Sequence, residues 1–168
     1  MQKGTSVRFV VDVMLGSLAR WLRRLGYDTD YANDRDDREL VRIARAEGRI
    51  LLTRDNALAA RRGISAFLIE SQVLDEQLMQ VVHAFPLPQG IALPRCSECN
   101  TPLADVSPDE VVDDVPPYVH RTHKHFRRCP GCGRVYWPGS HWERIGRRLK
   151  QMGVEEPEDC DPDRADVL

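Results

Sequence analysis

Arg8-Phe9-Val10-Val11-Asp12 and Ile50-Leu51-Leu52-Thr53-Arg54-Asp55 decide the fold of this chain. Each is a short apolar run that ends on an acid, the pattern of a strand buried on both faces of a parallel sheet. Between them the hydrophobic period lengthens. Leu15, Leu18, Leu22 and Leu25 recur at helical spacing with arginines between, and Gly26 stops the run. Tyr27 to Ala32 reads as a second, shorter strand. A helix from about Asp37 to Glu47 follows, with Leu40, Ile43 and Ala44 on one face, Asp36 and Glu39 spaced as a capping box, and Gly48 as its end. After the run at 50–53 come a short helix over Asn56 to Arg62 and a strand over Ser65 to Ile69. A helix over Asp75 to Phe85 then turns Leu78, Val81, Val82 and Phe85 inward. This alternation predicts an α/β fold, a parallel sheet with helices on both faces.

In such a sheet, residues just past the C-terminal ends of the strands share one crevice, so acids about twenty residues apart in sequence can meet there. Asp12, Asp36, Asp37 and Asp55 are placed for that. The apolar run between Met1 and Met14 is too short for a signal segment and ends at Asp12, and no stretch approaches the roughly 20 apolar residues of a membrane span. A cytoplasmic protein without a membrane segment is the expectation. The formal charge of −2 is unevenly divided. Residues 155–168 hold seven acids and one base, so removing their −6 leaves +4 on residues 1–154. That acidic tail has almost nothing apolar to bury and is expected to be disordered.

The five cysteines sort by spacing. Cys96 and Cys99 form one C-x-x-C, Cys129 and Cys132 form another, and Cys160 stands alone in the tail. Two such pairs in a chain without a secretory signal indicate a four-thiolate metal site rather than disulfides. Tetrahedral Zn²⁺ suits four soft ligands, and a closed sulfur set leaves no open catalytic position, so the role is structural. The prolines of Pro86-Leu87-Pro88-Gln89-Gly90 separate this region from the sheet. The segment from Asp105 to Pro117 reads as an irregular or helical insertion between the two halves of a zinc ribbon. In the first helix, Trp21 is read as core and Arg23 and Arg24 as a solvated face.

Four stretches carry a family likeness. They are Asp12-Val13-Met14-Leu15-Gly16-Ser17-Leu18-Ala19-Arg20-Trp21-Leu22-Arg23, Asp36-Asp37-Arg38-Glu39-Leu40, Leu51-Leu52-Thr53-Arg54-Asp55, and Cys129-Pro130-Gly131-Cys132-Gly133-Arg134-Val135-Tyr136-Trp137-Pro138-Gly139-Ser140-His141. In this order, over about residues 7–150, they resemble the Mut-seven C-terminal RNase family, a branch of the PIN-like nucleases with an appended zinc ribbon. The resemblance implies a PIN-like nuclease domain over residues 1–88, a zinc ribbon with an inserted segment over 89–153, and the acidic tail over 154–168.

It also implies metal-dependent hydrolysis of RNA phosphodiesters, and the residue chemistry agrees. Three aspartates held together repel one another unless a divalent cation sits among them, and hard carboxylate oxygens suit Mg²⁺ or Mn²⁺. Asp12 and Asp55 match the family's first and third acidic positions, and Asp37 is taken as the second. Asp34 is its alternative, and Asp36 is read as a helix cap. A fourth acid has no clear match: Glu70 ends the fourth strand, whereas Asp75 and Glu76 suit a helix N-terminus. Arg20 and Arg54 could clamp the scissile phosphate or hold a carboxylate in place. In the ribbon, Lys124, Arg127, Arg128, Arg134, Trp137, Arg144, Arg147 and Arg148 form a cationic and aromatic set suited to RNA. The competing reading is a non-catalytic RNA-binding or ribosome-associated adaptor that keeps the fold. A protein regulator and either a monomer or a dimer are compatible with the sequence.

Overall fold

A computed structural model of the chain describes residues 7–85, 87, 94–151 and 153, without the side chains of residues 141, 142, 145 and 148. The expected tail at 154–168, with Cys160, and most of the proline-rich break lie outside the described residues. The chain divides into two compact units, residues 1–100 and 101–168.

The first unit alternates strand and helix. Its elements are β1 (Arg8–Val11), α1 (Gly16–Arg24), β2 (Asp28–Asp30), α2 (Asp37–Glu47), β3 (Ile50–Thr53), α3 (Asn56–Ala59), β4 (Ser65–Leu68) and α4 (Leu74–Ala84). The four strands form one parallel sheet in the order β2-β1-β3-β4. Pairing of Val10 with Leu51 and of Leu51 with Ala66 puts these side chains on one face. There they pack with Leu40, Ile43 and Ala44 of α2 and Leu58 of α3. Phe9 and Phe67 alternate to the other face. Phe9 meets the rings of Tyr27 and Phe85 at 5.3 Å each, and Phe67 meets Phe85 at 5.1 Å. The helices thus cover both faces, as the strand and helix periods require.

Local chemistry fixes the ends. Asp36 accepts a hydrogen bond from Glu39 N at 2.8 Å and caps α2. Gly48 ends that helix in the left-handed region at φ 63°, where a side chain would be strained. The expected strand and helix boundaries hold to within a few residues, with β2 and α3 shorter than expected. Trp21 is buried as expected. Arg23 is a correction: it is 4% exposed rather than solvated. Its guanidinium spends its donors on carbonyls inside the unit, which helical period alone does not reveal.

The second unit carries β5 (Ala104–Val106), α5 (Pro117–Thr122), β6 (Phe126–Arg128), β7 (Val135–Tyr136) and α6 (Ser140–Gln151). Its strands form an antiparallel sheet in the order β5-β6-β7. The expected insertion contains a single 3₁₀ turn, Pro108–Val111, closed by reciprocal hydrogen bonding of Ser107 and Glu110. Val111, Val115 and Phe126 form a small core there, with Val106, Val119 and Val135 packed against it.

Candidate functional site

The sheet order makes the C-terminal end of β1 a switch point, because the chain leaves β1 for β2 on one side and reaches β3 on the other. Asp12 follows β1 directly. Its backbone N–H continues the ladder to Leu52 O at 3.0 Å, which sets Asp12 beside Thr53. The Thr53 hydroxyl then donates to Asp12 Oδ2 at 2.6 Å and accepts from the Asp55 backbone N–H at 3.0 Å. One buried hydroxyl therefore joins the two leading acids. Asp12 is 5% exposed and Thr53 is fully buried, whereas Asp55 is exposed. Asp55 caps α3 through Oδ1, which accepts from Ala57 N at 2.7 Å and Leu58 N at 3.0 Å.

The turn after Asp12 is held from β2. Tyr31 donates its hydroxyl to Val13 O at 3.1 Å. A Cβ on Gly16 would come within 2.5 Å of that Tyr31 oxygen, so glycine is what admits the ring to the start of α1. Thr53, Tyr31 and Gly16 were not singled out as site residues by sequence. Thr53 does carry a signal, a hydroxyl two residues before Asp55 at the end of an otherwise apolar strand.

The other acids are less closely joined. Asp37 is exposed in the first turn of α2, and Asp34 is exposed in the loop before it. No hydrogen bond or ion pair among the described residues ties either to Asp12 or Asp55. Asp30, at the end of β2, pairs with Arg35 at 2.7 Å. Glu70 is exposed beyond β4, and Glu76 accepts from Ser71 at 2.5 Å within the entry to α4. Arg20 lies 3.6 Å from Glu98. Arg54 Nε is buried and has no hydrogen-bond partner among the described residues.

The thiols form a second centre. The Sγ atoms of Cys96, Cys99, Cys129 and Cys132 all lie within 4.8 Å of one another. Ligands about 2.3 Å from a tetrahedral zinc would sit about 3.8 Å apart, a separation the set can accommodate. The two pairs repeat one geometry. Cys99 N donates to Cys96 Sγ at 3.4 Å, and Cys132 N to Cys129 Sγ at 3.5 Å. Asn100 N returns to Cys96 O, and Gly133 N to Cys129 O, at 2.9 Å each. Asn100 (φ 62°) and Gly133 (φ 76°) both occupy the left-handed region that lets the chain fold over sulfur.

Of the cationic set in the second unit, Lys124, Arg134, Arg144 and Arg147 are exposed. Arg127 pairs with Asp105 at 2.8 Å, and Arg128 pairs with Asp114 at 2.7 Å and also donates to Glu110 O at 2.8 Å. Trp137 is 37% exposed. The side chain of Arg148 lies outside the described residues.

An open parallel α/β unit with Asp12 and Asp55 following adjacent strands at its switch point, followed by an antiparallel unit and a set of four close thiols, defines the class. The Mut7-C RNAse domain model matches residues 7–149, most of the chain, and the chain belongs to that family. It is also 28% identical to the human (Homo sapiens) protein described as exonuclease mut-7 homolog, over an alignment covering 94% of this chain. The chain spans 27% of the length of that relative. No solved structure gives a significant match. The family and the relative support a nuclease-type function. Among the described residues no helix is long and apolar enough to cross a membrane.

Proposed function

We propose that this chain is a divalent-metal-dependent ribonuclease of PIN-like architecture, whose acidic centre is built on Asp12, Asp55 and Asp37. The observation that carries the reading is the Asp12–Thr53–Asp55 link at the switch point of the sheet. Asp12 is a nearly buried carboxylate whose one described hydrogen bond comes from a neutral hydroxyl and which has no ion-pair partner among the described residues. A buried carboxylate in that state is costly unless a cation compensates it, so the donor chemistry fits Mg²⁺ or Mn²⁺. Such an ion would supply charge neutralisation at the phosphate and a more acidic bound water.

The chain's own residues do the rest. Thr53 fixes the orientation of Asp12 and the exit of β3. The α3 amides hold Asp55 by one oxygen, and its Oδ2 has no hydrogen-bond partner among the described residues. Asp37 adds negative charge from α2. Arg54, directly before Asp55 in the chain, is the candidate to contact a phosphate oxygen through its guanidinium. Arg20, paired with Glu98, is the weaker phosphate ligand. The four cysteines hold a structural Zn²⁺. Lys124, Arg134, Arg144, Arg147 and Arg148, with Trp137 as a stacking face, bind the RNA backbone. Arg127 and Arg128 contribute through charge already shared with Asp105 and Asp114.

The test is cleavage of single-stranded and structured RNAs with and without Mn²⁺, comparing the wild-type chain with Asp12→Asn. Indirect partners of a metal ligand are worth about 10–100-fold, so loss of a ligand should lower cleavage by more than about a hundredfold. Equal cleavage by both proteins defeats the assignment. RNA binding by both without cleavage gives the adaptor reading instead.

A further inference from the structure

Arg23 lies in the last turn of α1 yet is 4% exposed. Its guanidinium donates to Ser97 O at 2.8 Å and Glu98 O at 3.1 Å, the two residues between the first pair of cysteines. It also donates to Thr29 O at 2.8 Å, within β2, and to Tyr31 O at 3.4 Å, just beyond it. Its own carbonyl accepts from Arg95 N at 2.8 Å, immediately before Cys96. A single side chain thus reaches across the first cysteine loop and fastens it to α1 and β2. Asn100 closes the other end, receiving Thr29 N at 3.1 Å and donating to Asp28 Oδ1 at 2.9 Å.

Burying an arginine in this way is costly by itself. Desolvation lowers the Arg23 pKa, opposed by attraction to Asp30, Cys96, Glu98 and Cys99. The guanidinium nonetheless stays charged, because its proton affinity is so high. Zn²⁺ with four thiolates carries a net charge of −2, and with Cys96 and Cys129 buried a counter-charge close by offsets part of the cost of that charge. The backbone amides aimed at sulfur supply partial charges, but a full positive charge at the first cysteine loop comes from Arg23.

We propose that Arg23 is the positioning and charge-compensating residue of the thiolate centre, holding the Cys96–Cys99 loop in its ligating shape while offsetting the negative charge of the zinc–sulfur group. This rests on reading the four thiols as a zinc site. It gives the buried arginine a role apart from phosphate binding, and it ties metal retention to residues of α1 and β2, not to the cysteines alone. Partners that orient metal ligands are worth about 10–100-fold in affinity.

The test uses the full chain as wild type, Arg23→Lys and Arg23→Met. Zinc content is measured first, then the rate of Zn²⁺ transfer to a chromophoric chelator, and then the sulfur-to-metal charge-transfer band after Co²⁺ substitution. Thermal melting of each zinc-loaded protein is followed alongside. The expected order of zinc release is wild type slowest, Arg23→Lys intermediate and Arg23→Met fastest, with a spread of at least about tenfold. Partial recovery by lysine, which returns the charge but not the fork of donors, separates compensation from filling of space. Transfer rates within twofold of one another overturn the proposal, as does Arg23→Lys releasing zinc as fast as Arg23→Met. If Arg23→Met does not fold, Arg23→Lys against wild type decides. A wild-type chain that takes up no Zn²⁺ overturns the zinc reading beneath it, an outcome distinct from failure of the arginine variants.

Discussion

Residues 7–85 bury Phe9, Val10, Leu51, Leu52 and the inward faces of their helices around a parallel sheet, whereas a described core cluster of the second unit is small, Val111, Val115 and Phe126 with three valines against it. The two units place their chemistry accordingly. In the first, acids sit at the ends of strands whose positions the core already fixes, so the acid pair follows from the sheet. In the second, the described cluster is small, and on the zinc reading proposed above metal ligation would supply much of the folding energy. The first unit's core sets the positions of its acids, whereas the second unit's fold would depend on a metal held in part by its own Cys129 and Cys132.

Removing zinc is the strongest way to break this contrast. Apparent binding energies of structural zinc sites are about 10–16 kcal/mol near neutral pH, far beyond what so small a core can replace. Chelation, or Cys129→Ser with Cys132→Ser, should leave residues 101–151 open to hydrogen exchange and proteolysis. The amides of β1 and β3 should remain protected. A protected second unit without metal would mean that its apolar cluster suffices and the contrast is wrong. The converse change is Phe9→Ala, which removes a ring meeting those of Tyr27 and Phe85. Truncating a fully buried phenylalanine costs about 3–5 kcal/mol, read by denaturant unfolding. Zinc content per folded chain should not change.

The same contrast explains what sequence could and could not show. Strands and helices of the first unit were legible because apolar period and glycine stops act locally, and the cysteine pairs were legible because their spacing is the site. Asp12 and Asp55 were legible as strand-end acids. Thr53 was missed because its role depends on the cross-strand register, which places a hydroxyl beside Asp12. Arg23 was misread because four of its acceptors are backbone carbonyls, two of them more than seventy residues away in sequence. Asp37 reads both as a site acid and as a first-turn acid favoured by the helix dipole, and its exposed position in the first turn of α2 is compatible with either.

Thr53 gives the next largest effect. Thr53→Val keeps shape and burial but removes the donor to Asp12 and the acceptor for Asp55 N. If the hydroxyl orients a metal-binding carboxylate, Mn²⁺ affinity and cleavage should each fall by about 10–100-fold, with partial recovery at high Mn²⁺. Titration by calorimetry or by Mn²⁺ electron paramagnetic resonance reads the affinity independently of turnover. Unchanged affinity with lowered stability would make Thr53 a plain structural hydroxyl.

The smallest effect concerns the acid beside the first cysteine loop. Burial pushes the Asp28 carboxyl up, but hydrogen bonds from Arg49 at 2.8 Å and Asn100 at 2.9 Å, with the attraction of Arg49 and Arg95, outweigh it and leave the pKa lowered. A carboxyl lowered by folding adds stability above its unfolded pKa of about 3.9, and that contribution drains away as pH falls through the lower folded value. Asp28→Asn removes the titration while keeping the shape. At neutral pH the variant should unfold about 1 kcal/mol more easily than wild type. That gap should close as pH drops below about 4. Zinc loss in acid affects both proteins, so the difference between their unfolding free energies at each pH isolates Asp28. A gap that persists unchanged into acid would show that the Arg49 and Asn100 bonds act through geometry alone. The first cysteine loop would then be fastened to β2 by shape, without help from charge at that end.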